Sequence, residues 1–231
     1  MSGIPERLQA VENAIVAASG EARRPAGSVR LLAVSKTFGP DAVLAAADAG
    51  QRAFGENYVQ EGVDKIQALK ERGLEWHFIG PIQSNKTRPI AEHFDWVHTV
   101  EREKIAVRLS EQRPPALGPL NVCVQVNISG EASKSGASPD EVESLAEAVA
   151  RLPNLRLRGL MAIPEPADDF AAQRAPFAAM HELFERLREK FGPGFDTLSM
   201  GMSADMRAAI LEGSTIVRVG SAIFGARTYD K

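Results

Sequence analysis

A single cysteine, Cys123, leaves this chain no intrachain disulfide framework and no thiolate metal cluster. It sits in the apolar run NVCVQVN (121–127), where a small buried hydrophobe is expected rather than a reactive thiol. No stretch approaches the ~18 consecutive apolar residues that span a bilayer, which argues against a membrane protein. The first residues, MSGIPERLQAVENAIVAASGEARRP, carry charges throughout, unlike a secretion signal, and place the protein in the cytoplasm. Neither sign of charge dominates: 27 Lys plus Arg face 30 Asp plus Glu, a formal net charge of −3. The basic field that nucleic-acid binding needs is therefore missing. The four histidines, His77, His93, His98 and His181, form no HExxH or paired-ligand spacing, so no metal site is expected. Internal repeats and low-complexity tracts are also lacking, and the Pro-rich pieces RPPALGP (113–119) and IPEPADD (163–169) are short enough to be loops.

What is present has the profile of an ordinary globular protein: 231 residues, 44% hydrophobic and 25% charged, long enough to bury a large core. Short β-branched or apolar runs recur at 30–35, 51–55, 76–80, 95–100, 121–127, 156–161, 196–201 and 215–220. They read as eight strands. Between them lie helical patterns. Val142, Leu145, Ala146 and Val149 recur at helical spacing, and Phe177, Met180, Phe184, Leu187 and Phe191 form a second apolar stripe. Ser138, Pro139 and Glu141 read as a cap, first turn and capping box that start a helix near 139. An extra leading helix, with Ile4, Leu8, Val11 and Ile15 on one face, is placed to cover the bottom of a barrel.

Near-continuous apolar strands alternating with helices require a parallel sheet buried on both faces. Eight such units predict an α/β fold, a single (β/α)8 TIM-type barrel over residues 1–231 with an extra N-terminal helix. An open doubly wound sheet is the competing architecture.

In such a barrel the functional groups follow the C-terminal ends of the strands. The first run ends AVSKT, so Lys36 lies where an ammonium loses hydration, the condition for an amine that forms a Schiff base. The competing reading is a lysine that snorkels or pairs at the strand end. After the seventh run comes SMGMSADM, where Gly201 permits a tight turn and Ser203 is placed as the cap of a helix ending before Gly213. After the eighth comes VGSAIFG, where Gly220 and Ser221 let an anion approach backbone N–H groups. Plain capping and turn chemistry explains either loop alone. Both loops together, with a lysine across the barrel closure, describe a pocket for a phosphorylated aldehyde, of which pyridoxal phosphate is the obvious candidate. Arg218 shares a strand face with Gly220 and either meets a ligand or forms a structural ion pair.

The motifs AVSKT, FGENYVQE, WHFIGPIQSNK, VNIS followed by KSG, GLMAIP, LSMGMSADM and RVGSAIFG occur in that order from about residue 30 onward. Together they resemble the pyridoxal-phosphate homeostasis protein family. That family is similar to the barrel domain of alanine racemase and related fold-type III enzymes, and binds pyridoxal phosphate through a lysine imine. The resemblance implies a role in vitamin B6 and amino-acid homeostasis without an established enzymatic activity. It implies further that Lys36 forms the imine, and that Ser203, Gly220 and Ser221 hold the phosphate. Arg218 would meet the pyridine nitrogen, and Asn57 and Met161 would line the pocket. Where family members can carry threonine after the last glycine, this chain has Ser221, whose hydroxyl retains the hydrogen bond.

An arginine stays protonated, so it donates to the ring nitrogen but cannot receive its proton, and a neutral pyridine is a weak electron sink. Racemisation also needs a second acid/base on the opposite substrate face. The eleven residues after Gly220 are too few for another domain, and the alternative donors are limited to Tyr58, Tyr229 and Cys123. A monomeric barrel with that face open would let the cofactor exchange. The expected function is a reversible holder of pyridoxal phosphate, with apoenzymes that use it as recipients. A racemase-like enzyme is the alternative, and an interaction protein with a vestigial phosphate site is the third reading.

Other polar residues carry less. His77 is expected as a hydrogen-bonded core histidine, with a role at the mouth as the competing reading. Gln83, Asn85 and Lys86 cluster after the third strand without an assignable role. Lys134, in the polar loop GEASKSG, is either a surface lysine or a second amine near the pocket entrance.

Overall fold

The apolar runs become strands because both of their faces find cover, helices outside and one another's side chains inside. The computed structural model describes residues 3–130 and 135–226; Lys134 and Tyr229 lie outside the described residues. The strands are β1 (Arg30–Val34), β2 (Ala53–Glu56), β3 (Glu75–Phe78), β4 (Trp96–Val100), β5 (Leu120–Val126), β6 (Leu155–Ala162), β7 (Thr197–Met202) and β8 (Ile216–Val219). Each pairs in parallel with the next, and β8 returns to β1 with Leu32 opposite Arg218, which closes the barrel and removes the open-sheet alternative. The strand positions expected from sequence hold to within about two residues at each end.

The helices are α1 (Ile4–Glu21), α2 (Pro40–Asp48), α3 (Val59–Ala68), α4 (Thr87–His93), α5 (Glu103–Gln112), α6 (Val142–Ala150), α7 (Phe170–Phe191), α8 (Met206–Leu211) and α9 (Ser221–Phe224). They pack their apolar faces on the outward side chains of the strands. Phe54, Phe78, Val97, Val122, Leu160, Leu198 and Val217 belong to this outer core.

The interior of the barrel is filled differently on its two sides. Leu32, Val34, Ala53, Ile79 and Ile216 form an aliphatic cluster, and Trp96, Cys123 and Met161 form a second cluster of an indole and two sulfur-bearing side chains. Cys123 is fully buried and its thiol is pushed up to about 12 by that burial, the behaviour of the small hydrophobe expected from its setting.

Three local expectations are corrected. The leading helix does not lie across the barrel bottom. It packs in the outer ring between α2 and α8 and against α9, and the Arg7 guanidinium donates to the Ile223 carbonyl. The reason is the brevity of α9, whose four residues leave a gap in the helical layer that α1 fills. The helix expected near 139 begins at Val142. The Glu141 carboxylate accepts from the Ser138 N–H at 3.2 Å, the returning half of the expected capping box, but the Ser138 hydroxyl donates to that carboxylate at 2.7 Å instead of accepting from a helical N–H, and Ala137 is held by hydrogen bonds with Gln125 and Asn127 beside β5. Ser203 does not cap α8. The Asp205 carboxylate accepts from the Met202 N–H at 2.6 Å, so 202–205 forms a turn and the helix begins after it.

Candidate functional site

All eight strands run the same way, so their C-terminal ends open on one face, and the loops there carry the candidate residues. Lys36 follows β1 by two residues and is half-buried. The turn that presents it contains Thr37 at φ 69°, a left-handed conformation that a β-branched residue adopts only when its surroundings impose it. The imposing contacts are visible. The Thr37 N–H donates to Glu61 at 2.6 Å, and the Lys65 ammonium donates to the Ser35 carbonyl and to Glu56 and Glu61 at 2.8, 2.8 and 2.6 Å. The Ser35 hydroxyl donates to the same Glu56 oxygen. Burial pushes the Glu56 carboxyl up, and Lys65 with Ser35 opposes that shift.

Across the closure, Gly220 follows β8 and precedes α9. A Cβ on Gly220 would lie 3.1 Å from the Val34 carbonyl oxygen, so the end of β8 approaches β1 closely only because this residue has no side chain. The Ser221 and Ala222 N–H groups lie ahead of the first hydrogen bonds of α9, which the Ile223 and Phe224 N–H groups make to the Gly220 carbonyl. Beside them, Gly201 has φ 95°, and a Cβ there would sit 2.5 Å from that of Ala209. The tight 202–205 turn that follows leaves Ser203 at its exposed centre. The two turns stand side by side because β7 and β8 are neighbours.

Arg218 is buried to 4% exposure at the end of β8. Its guanidinium donates to the Ser199 hydroxyl at 2.8 Å and the Ala162 carbonyl at 3.0 Å. Among the described residues no carboxylate forms an ion pair with it, and burial lowers its pKa to about 10. A buried cation with only neutral partners is costly, and it fits a site that takes an electron-rich ligand atom. The structural ion pair considered for Arg218 is not formed.

Asn57 follows β2 and is clamped by the close approach of Gly80, where a Cβ would fall 2.1 Å from the Asn57 carbonyl oxygen. Its Oδ1 is buried and makes no hydrogen bond among the described residues. The residue lines a cavity of about 310 Å³ together with Ile79, Pro81, Thr99, Gln125 and Ile163. Met161 is fully buried with Trp96 and Cys123. The mouth therefore gathers Lys36, Asn57, Ser203, Arg218, Gly220 and Ser221 on one end, with Met161 in the barrel filling. An amine, two amide-bearing turns, an unpaired cation and an unsatisfied amide oxygen match the parts of a phosphorylated aromatic aldehyde.

Gln83, Asn85 and Lys86 sit on an exposed turn after β3 and join none of these contacts. His77 is a core histidine, fully buried and hydrogen-bonded. Among the described residues no three His, Cys, Asp or Glu side chains gather as a metal site. No helix is long and apolar enough to cross a membrane among the described residues. Sequence reasoning passed over Glu56, Glu61 and Lys65, although the i, i+4 spacing of Glu61 and Lys65 was a usable signal. It weighed His98 only as a metal ligand and passed over Ser199, both polar residues in the inward phase of otherwise apolar strands.

Residues 7–228 match the family described as alanine racemase, N-terminal domain. A pyridoxal phosphate homeostasis protein from Pseudomonas aeruginosa is 61% identical over 99% of this chain and 98% of its own length. One from Vibrio cholerae is 58% identical over 100% of this chain and 99% of its own. The structure of PipY from Synechococcus elongatus with pyridoxal phosphate bound superimposes with a TM-score of 0.81 at 34% identity, covering 96% of this chain and all of that one.

Proposed function

Because the chain belongs to the pyridoxal phosphate homeostasis protein family, with the alanine racemase N-terminal barrel as its fold, we propose that it binds pyridoxal 5′-phosphate at the barrel mouth and buffers or delivers it. When bound, this cofactor supplies an aldehyde carbon that a primary amine captures with loss of water, and a phosphate dianion that anchors it. Lys36 is the capturing amine, presented by the turn that Glu56, Glu61 and Lys65 hold. The Ser203 turn and the Gly220–Ser221 helix start take the phosphate. Arg218 donates to the ring nitrogen, Asn57 lines the pocket and Met161 contributes its apolar floor.

The observation that carries this reading is Arg218, buried at the mouth without a carboxylate. A guanidinium with its pKa lowered to about 10 stays charged at neutral pH and gives its N–H to the ring without giving up the proton. That arrangement mutes carbanion chemistry by leaving the pyridine neutral, but racemases of the same fold use a similar one, so a turnover measurement decides between holder and enzyme. The proposal includes a cytoplasmic monomer, one barrel domain over the whole sequence, and cofactor-requiring apoenzymes as recipients.

The test is an absorption spectrum of the purified protein with added pyridoxal phosphate, followed by borohydride reduction and peptide mapping. The expected result is a yellow adduct trapped on Lys36 and lost in Lys36→Ala. Label spread over surface lysines would overturn the site. Sustained racemisation of an amino acid, abolished by Lys36→Ala, would overturn the holding role in favour of the enzyme.

A further inference from the structure

A chain of hydrogen bonds crosses the inside of the barrel from its mouth to its bottom. Arg218 donates to the Ser199 hydroxyl at 2.8 Å, and that oxygen lies 2.8 Å from His98 Nδ1. His98 Nε2 is 2.8 Å from His77 Nδ1, and His77 Nε2 is 2.7 Å from Glu75 Oε1. Glu75 opens β3, at the end of the barrel opposite the mouth, and pairs there with Arg30 at 2.5 Å. Ser199, His98 and His77 are all buried, and the His77 ring stacks on Trp96 at 5.2 Å with an interplanar angle of 8°.

Every proton in this chain has only one consistent place. A carboxylate accepts and cannot donate, so His77 carries its hydrogen on Nε2. Burial pushes the pKa of His77 down and that of His98 well down, with Arg218 and Arg30 reinforcing the effect at His98, so both rings are neutral. Neutral His77 then accepts at Nδ1, His98 donates from Nε2, and His98 accepts at Nδ1 from the Ser199 hydroxyl. The Ser199 oxygen is left with its lone pairs toward Arg218. All donors point from the mouth to the bottom, and the direction is set by the one group that can only accept.

Packing alone does not call for these groups. The opposite side of the same interior is filled by Leu32, Val34, Ala53, Ile79 and Ile216, and an aliphatic filling avoids the desolvation that buried polar groups incur. We propose that Glu75 is a positioning residue for the mouth: through His77, His98 and Ser199 it holds the Arg218 guanidinium in the orientation that meets the ligand. This deepens the functional reading above and rests on it for the identity of the ligand.

The test begins with the cofactor-free protein. Side-chain nitrogen NMR at neutral pH is expected to find His77 and His98 as neutral Nε2–H tautomers, with sharp, slowly exchanging Arg218 guanidinium signals. In Glu75→Leu, mixed tautomers and broadened Arg218 signals are expected. The dissociation constant for pyridoxal phosphate should then rise about three- to tenfold, as one lost acceptor is transmitted along a coupled chain. Glu75→Gln keeps an acceptor oxygen and should restore both readouts. Arg30→Gln removes the ion pair but keeps the carboxylate, and should leave both unchanged.

An Nδ1–H tautomer at either histidine in the wild type, or unchanged Arg218 signals in Glu75→Leu, would overturn the proposal. So would a loss in Arg30→Gln equal to that in Glu75→Leu. Failure of the wild type to take up pyridoxal phosphate would overturn the functional reading instead, while the tautomers and Arg218 signals decide the chain by themselves.

Discussion

Lys65 is exposed by only 3%, and its ammonium is tolerated because three oxygens surround it within 2.8 Å. It is also the residue that ties α3 to the turn carrying Lys36. Removing one member of a buried ion pair strands the other, which costs about 3–5 kcal/mol. Lys65→Met is therefore expected to lower the unfolding free energy by about that much in urea titration, and adding Glu56→Gln should recover part of the loss. A Lys65→Met protein as stable as the wild type would contradict this account. At the same scale, Gly80 was not readable as a site residue. Its role is an absence, the missing Cβ that lets the Asn57 backbone pass, and only the approach of the two loops reveals it.

At the scale of elements, α1 and α9 form one unit of the helical ring though they lie at opposite ends of the described chain. Leu8 is 1% exposed and is part of the core that this pair closes. Leu8→Ala should cost about 2–5 kcal/mol in urea unfolding, the range for a large-to-small change in a packed core. Val16, on the same helix but 71% exposed, is a control: Val16→Ser should shift stability by no more than about 0.5 kcal/mol. Equal losses in the two variants would mean that α1 does not pack as described. The strands were legible because continuous apolar runs bounded by turn residues have few other interpretations. The starts of α6 and α8 were misplaced because Ser138 and Ser203 do cap helices elsewhere; the bond from the Ser138 N–H to Glu141 was readable, but nothing local reports that the Ser138 hydroxyl also donates to Glu141 or that Asp205 takes the Met202 N–H.

For the whole molecule, the buried histidine pair and Glu75 couple stability to pH. Both histidines have pKa values lowered by burial from the ordinary 6.5, so the unfolded chain binds protons that the folded one refuses. Their contribution is complete above about pH 6.5 and is lost as the pH falls below it. Burial would raise the Glu75 carboxyl, but His77 and Arg30 outweigh it and hold the group at about 2, against an ordinary value of 4.5. A second loss follows as pH falls from about 4.5 toward about 2. Urea midpoints should decline from about pH 7.5 to about pH 5.5, and Glu75→Gln should flatten the more acid part of the profile while steepening the histidine part, because the Glu75 charge opposes the lowering of the His77 pKa. A flat profile over the first range would mean that the histidines are not buried neutral.

The amino-acid sequence by itself determined the class of fold and which end of it carries the candidate residues. Strand alternation, short loops and the residues just after each strand are local facts, and in a parallel barrel they put Lys36, Asn57, Ser203, Arg218, Gly220 and Ser221 on one face whatever the details. Only the tertiary structure decided which side chains meet across the interior and around the ring: Arg218 with Ser199, His98 with His77, and Arg7 with a carbonyl 216 residues away. Those contacts depend on strand stagger and on closure of β8 against β1, and stagger belongs to the barrel as a whole rather than to any segment of the chain.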